Sequence, residues 1–245
     1  MKLRRALPIA AALPALLAIS ACSGESADSG DGKAKASASA KSTPGAPSAD
    51  DKAAAEAERI GAMAPRTLEK ATLSGTSNGF EIKKVAEADV EAGRSMKADK
   101  AECQPLASLA GGFTQVPAVA VEHRSLEPAE AKNATVGSMW LASHSVKNAE
   151  KVMADLRTSV KECPGGFKTL GLTYTSVETV KAPTTGDESL GYRITNVVGK
   201  QNVTMTYTVV RKDGAVAVFY GVNMLTPKNS AMPEGIVKAQ VAQLG

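Results

Sequence analysis

Apolar residues recur along this chain with two different periods. Val146, Ala149, Met153, Leu156, Val160 and Cys163 follow one another at steps of 3 and 4. That spacing puts them on one face of a helix over 146–163. Ser143 or Ser145 can cap its start, and Pro164-Gly165-Gly166 ends it. A second helix is predicted from near Ala98, carrying Cys103, Leu106 and Leu109 towards Gly111-Gly112. A third closes the chain over 233–244, with Val237, Val241 and Leu244 on one face.

Between these helices the period becomes two. Val119 and Val121 alternate with small or charged residues, as do Val136, Ser138, Trp140 and Ala142, and then Leu190, Tyr192 and Ile194. Val203, Met205, Tyr207 and Val209 run through Arg211-Lys212-Asp213-Gly214 into Val216, Val218, Tyr220 and Val222. Asp-Gly between two alternating runs is a hairpin signal. The expected fold class is therefore α+β: a largely antiparallel sheet with flanking helices, packed on one face.

The first 21 residues have a different pattern. Lys2, Arg4 and Arg5 precede an uncharged, mostly apolar run from Ala6 to Ser20. This reads as an export signal, too short for a membrane span of roughly 20 apolar residues and interrupted by Pro8 and Pro14. It ends Ile19-Ser20-Ala21-Cys22, which resembles the bacterial lipobox. The expectation is cleavage before Cys22 and acylation of its thiol. Two acyl chains anchor stably at about 0.8 kcal/mol per buried methylene, where one would be marginal. The alternative is an ordinary secretory peptide with a coincidental cysteine. The lipobox reading places the protein on the outer face of the cytoplasmic membrane, with the lipid bilayer as its first partner through Cys22.

Residues 23–59 contain no Val, Ile, Leu, Met, Phe, Tyr or Trp. Such a stretch buries too little apolar surface to offset chain entropy, so 22–59 is expected to be a lipidated N-terminus and disordered linker. As a coil it spans on the order of 30 Å. Residues 50–59 are helix formers without an apolar stripe and read as a frayed helix inside a solvated spacer. The alternative is a partner-binding tail. Residues 60–245 are enough for one domain with its own core.

The formal charge of +4 rests on the leader: 29 basic side chains less Lys2, Arg4 and Arg5 leave 26 against 25 acidic. A chain without a basic surplus is a poor nucleic-acid partner. Aromatics at 4% also argue against base-stacking platforms.

With Cys22 committed to lipid, Cys103 and Cys163 remain. In an oxidising compartment they are expected to pair, the alternative being two buried thiols. No Cys-x-x-Cys is present to suggest redox activity. His123 and His144 are the only histidines, too few for a zinc site with no cysteine to spare, so no metal or cofactor is expected. Both read as satisfied side chains at the ends of strand faces. Gly75-Thr76-Ser77-Asn78-Gly79 matches the G-x-S-x-G nucleophile pattern, which needs a strand before it and a helix after it. The alternating Phe80-Glu81-Ile82-Lys83-Lys84 that follows favours a polar turn.

Four features together resemble the PknH-like extracellular sensor-domain family of actinobacterial lipoproteins and kinase ectodomains. They are Ala98-Asp99-Lys100-Ala101-Glu102-Cys103-Gln104-Pro105-Leu106, the helix ending at Cys163, Gly186-Asp187-Glu188-Ser189-Leu190-Gly191-Tyr192-Arg193 followed by the hairpin with Val209-Val210-Arg211, and the closing helix. The resemblance covers about 98–244. The second cysteine pair common in that family is absent, and Val160 stands where many members carry a tryptophan. The resemblance implies a non-enzymatic sensor or binding domain over 60–245, taking a small envelope ligand or protein. The sheet face near Val136, Trp140, His144, Tyr192 and Tyr207 is the candidate ligand wall. The competing readings are an apolar-ligand carrier between membrane and wall, and a serine hydrolase using Ser77.

Overall fold

The computed structural model describes residues 47–130 and 133–245. Cys22, the leader and the spacer as far as residue 46 lie outside the described residues. Residues 45–245 form one compact unit that contains both apolar clusters and the disulfide, so this stretch carries what it needs to fold by itself.

The chain enters through helix α1 (Ala49–Ile60). Ser48 Oγ accepts from Asp51 N, and the Asp51 carboxylate accepts from Ser48 N, each at 3.1 Å. This reciprocal cap satisfies two donors that a helix start leaves open. Gly61 ends the helix in the left-handed region, φ 68°. Ala57 is buried. Residues 49–59, expected in the solvated spacer, therefore belong to the folded unit; local capping supplies what the absent apolar stripe does not.

Helix α2 (Pro65–Ala71) leads to β1 (Gly75–Ser77) and β2 (Phe80–Lys84). Helix α3 (Glu87–Val90), two 3-10 turns (Glu91–Ser95 and Ala101–Cys103) and helix α4 (Gln104–Ala110) cross to β3 (Ala120–Pro128) and β4 (Thr135–Ser143). Helix α5 (Val146–Glu162) precedes β5 (Phe167–Thr169), β6 (Leu172–Val180), β7 (Glu188–Val198), β8 (Gln201–Lys212) and β9 (Ala215–Asn223). Helix α6 (Glu234–Ala242) closes the chain. Among the described residues no helix is long and apolar enough to cross a membrane.

The nine strands make one antiparallel sheet in the order β1-β2-β3-β4-β9-β8-β7-β6-β5. Two meanders thus meet where β4 pairs with β9, Trp140 opposite Val218. Ser145, of the two serines considered, caps α5 by accepting from Asn148 N at 3.3 Å.

Helices cover both faces of the sheet, not one. On the first face α4 and α5 pack Leu106, Met153 and Leu156 against Trp140, Tyr192, Tyr207, Val209 and Val218. On the second, α2 and α6 pack Leu68, Ile236 and Val237 against Met139, Leu141, Val210, Ala217 and Phe219. The buried Gln240 ties these two helices together, accepting from Leu73 N at 2.8 Å and donating to Ala71 O at 2.7 Å. The central strands explain the difference: 215–219 is apolar at five consecutive positions, so a single covered face would leave Ala217 and Phe219 in water.

A disulfide joins Cys103, at the entry to α4, to Cys163, the cap of α5, with Cα atoms 5.8 Å apart and a sequence separation of 60. Closing a loop of that length is worth about 4 kcal/mol in the chain-entropy account.

Candidate functional site

The segment between β2 and β3 never joins the sheet, and its folding back creates a cleft. Gly93, in the first 3-10 turn, packs backbone to backbone against Gly111, which follows α4. Gln104 then pins the strand-like stretch beyond the turn: its Nε2 donates to Met96 O at 2.9 Å and to Ser108 Oγ at 3.0 Å, while its Oε1 accepts from Ala98 N at 3.0 Å. All the hydrogen-bonding capacity used by this amide goes into positioning 96–98 over α4.

The result is a cleft of about 560 Å³, within the size range of small-molecule sites. Met96, Phe113, Pro117, Ala118 and Val121 supply apolar walls, Gln104, Ser108, Thr114 and Gln115 supply polar groups, and Arg94 and Lys97 supply positive charge. No carboxylate lines it. A second hollow of about 340 Å³ lies beside it, bounded by Ala49, Asp50 and Ala53 of α1, by Lys84, and by Glu122 and His123 of β3. Arg94, Phe113, Ala118 and Val121 line both. The partition is a cation–π pair, with the Arg94 guanidinium 4.2 Å from the Phe113 ring centroid. Glu91 holds the same guanidinium at 3.0 Å. Among the described residues no ion pair engages Lys97, which is exposed.

His123 closes the back of the second hollow. Its ring meets Phe113 edge-on at 5.3 Å and stacks on Trp140 at 6.2 Å. Nε2 lies 2.7 Å from Gly112 O; a carbonyl only accepts, so Nε2 carries the proton. Burial pushes the His123 pKa down, opposed by that hydrogen bond.

His144 lies behind the cleft rather than in its wall. Its Nε2 is 3.2 Å from Thr114 Oγ1, whose own proton goes to Val116 O at 2.7 Å, so the histidine donates and the threonine relays. Nδ1 has no hydrogen-bond partner. Desolvation brings the His144 pKa down to about 4, so the ring is neutral at pH 7. It supports the loop 114–117 that lines the cleft.

The other residues expected in the wall are core. Trp140, Tyr192 and Tyr207 are buried under α5 and line neither hollow. Tyr192 and Tyr207 stack at 5.0 Å with 5° between their planes, and burial raises both phenols well above their usual range. The helix layer over this face removes the open wall that strand alternation suggested. Val136, by contrast, is exposed at the start of β4. Ser77 ends β1 in a two-residue hairpin turn, with Asn78 and Gly79 both at positive φ, and accepts from Asn78 Nδ2 at 2.9 Å. A strand follows it, not the helix that a nucleophile elbow requires. Among the described residues no three His, Cys, Asp or Glu side chains gather as a metal site.

The cleft residues were not legible as a site because they fall in three separate segments, 94–97, 104–108 and 113–121, and the periods that mark the second and the end of the third say nothing of their meeting. The paired glycines Gly93 and Gly111-Gly112 were the available signal. No known family model matches the chain, and no curated protein matches it.

Proposed function

We propose that this chain is a bacterial lipoprotein, acylated at Cys22 on the outer face of the cytoplasmic membrane, whose domain is a non-enzymatic binding module. The PknH-like sensor resemblance belongs to the same proposal. The ligand class we propose is an amphipathic anion held in the cleft between Arg94, Lys97 and Phe113.

The observation that carries the reading is the make-up of that cleft. Lys97 and Arg94 stand among apolar walls, Arg94 sharing its charge with Glu91 and Glu87, and no acidic group lines the cleft itself. An anionic head meets Lys97 and Arg94 while an attached hydrocarbon covers Met96, Phe113 and Val121. Arg94 is pre-oriented by Glu91 and Phe113, which lowers the ordering cost of binding. The apolar walls favour, as a second reading, a carrier that moves such a molecule from membrane to wall.

The test is native mass spectrometry of residues 45–245 with dodecyl phosphate and with dodecyl trimethylammonium. A one-to-one complex with the phosphate alone is expected, weakened about tenfold by Lys97→Glu, as for loss of one charged contact. Equal binding of the cationic amphiphile, or binding of neither, overturns the ligand class. The anchor is tested separately by the intact mass of protein extracted from membranes: loss of residues 1–21 and a diacylglyceryl addition on Cys22.

A further inference from the structure

Eight large apolar side chains stand exposed among the described residues, and seven of them gather at one end of the sheet. The register places them. Val136 opens β4 opposite Val222, and β9 then runs out into Met224 and Leu225. Val198 pairs with Gln201 across the β7–β8 turn, and Leu172 opens β6 beside the end of β7. Leu170 is the tip of the β5–β6 turn. The most exposed are Leu225 at 81%, Leu170 at 64%, Met224 at 59% and Val198 at 55%. Only Val146 lies at the other end.

Charge follows the same geography. The segments 166–174, 196–204 and 223–231 each carry one lysine, Lys168, Lys200 and Lys228, all exposed, and no acidic residue. The sequence 129–134 has one charge of each sign, Glu130 and Lys132, and an acid, Asp99, lies beside Leu170, where its carboxylate accepts from Lys168 N at 2.8 Å, flanked in the chain by Lys97 and Lys100. Leu170 also takes φ 44°, a left-handed conformation that Gly or Asn adopts with less strain. Strain kept at an exposed leucine points to a use for its side chain.

We infer that this end of the sheet docks on an anionic bilayer surface, with Leu170, Val198 and Leu225 entering the interfacial layer and Lys168, Lys200 and Lys228 meeting lipid phosphates. Aliphatic tips beside lysines suit that boundary: the apolar ends leave water while the ammonium groups stay in the headgroup layer. Attraction to anionic lipid acts within about 10 Å of the surface at 0.1 M salt. Lys97 lines both the cleft and the shallow hollow beside Leu170, so docking sets the cleft near the headgroups. Pro47 lies 25 positions after Cys22, a reach of about 90 Å at most, so a tether there does not choose which end faces the membrane. The tips do. The inference stands without acylation of Cys22.

The test uses oxidised 45–245, which lacks Cys22, in co-sedimentation with vesicles of phosphatidylglycerol and phosphatidylcholine in equal parts, and of phosphatidylcholine alone. Binding to the anionic vesicles is expected to be about tenfold tighter and to fall with rising salt. The variant Leu170→Asn/Val198→Thr/Leu225→Ser loses that binding with its melting temperature not lowered. Dodecyl phosphate filling the cleft leaves vesicle binding intact, which separates this surface from the ligand site. Absence of binding to anionic vesicles, an unaffected variant, full competition by dodecyl phosphate, or self-association through the tips in place of vesicle binding would each overturn it.

Discussion

Gly93 and Gly111 touch backbone to backbone, so that a Cβ on either would drive into the carbonyl of the other. This contact holds the Arg94–Lys97 segment against the end of α4 and so sets the width of the cleft. Gly111 has φ −80°, a conformation any residue adopts, so its requirement is space alone. Gly111→Ala is expected to lower stability by about 1–3 kcal/mol, as overpacking does, and to abolish dodecyl phosphate binding. Urea denaturation and native mass spectrometry check the two effects.

Stability is expected to fall as pH drops from about 6.5 towards 4, and His144 is a main cause. Its folded pKa is about 4, below the value of 6.5 for an unperturbed imidazole. Between those values the unfolded chain takes up a proton that the folded chain refuses, so acid favours unfolding. The loss is on the order of 1–3 kcal/mol. His123, also shifted down, adds in the same sense. Urea midpoints at pH 7, 5.5 and 4.5 for the parent and His144→Asn measure this; the variant should show the shallower slope.

Reducing the Cys103–Cys163 bridge removes the constraint on a 60-residue loop. A Cys103→Ala/Cys163→Ala variant is expected to lose about 4 kcal/mol. Scanning calorimetry with and without dithiothreitol should move the parent to the variant's midpoint and leave the variant unchanged.

Leu170→Asn is expected to stabilise the fold by about 0.5–1 kcal/mol. The side chain is exposed, so no core contact is lost, and asparagine tolerates the left-handed backbone that leucine resists. Chemical denaturation reads the gain. An unchanged or lower midpoint would show that Leu170 makes a contact worth more than its strain.

Several elements were legible because their signals are local. Helix α5 follows from its stripe, Ser145 and Pro164, and the β8–β9 hairpin from alternation around Asp213-Gly214. Even there the glycine has a second reason: a Cβ on Gly214 would strike the His144 carbonyl packed across the turn. Strand β6 was not legible. A register shift between Tyr174 and Ser176 leaves its buried residues, Tyr174 and Val177, three apart, and a period of two is no longer visible.

By itself the amino-acid sequence determined the antiparallel α+β class, the main helix and the long hairpin, because periodicity and turn chemistry act over short stretches; the pairing of Cys103 with Cys163 was an expectation that the tertiary structure bears out. Tertiary structure alone decided that both sheet faces are covered, that Trp140, Tyr192 and Tyr207 are core, and that Arg94, Gln104 and Phe113 share a cleft. Alternation says which residues share a face of a strand, not what lies over that face. The cleft depends on segments that meet only when two glycine backbones touch.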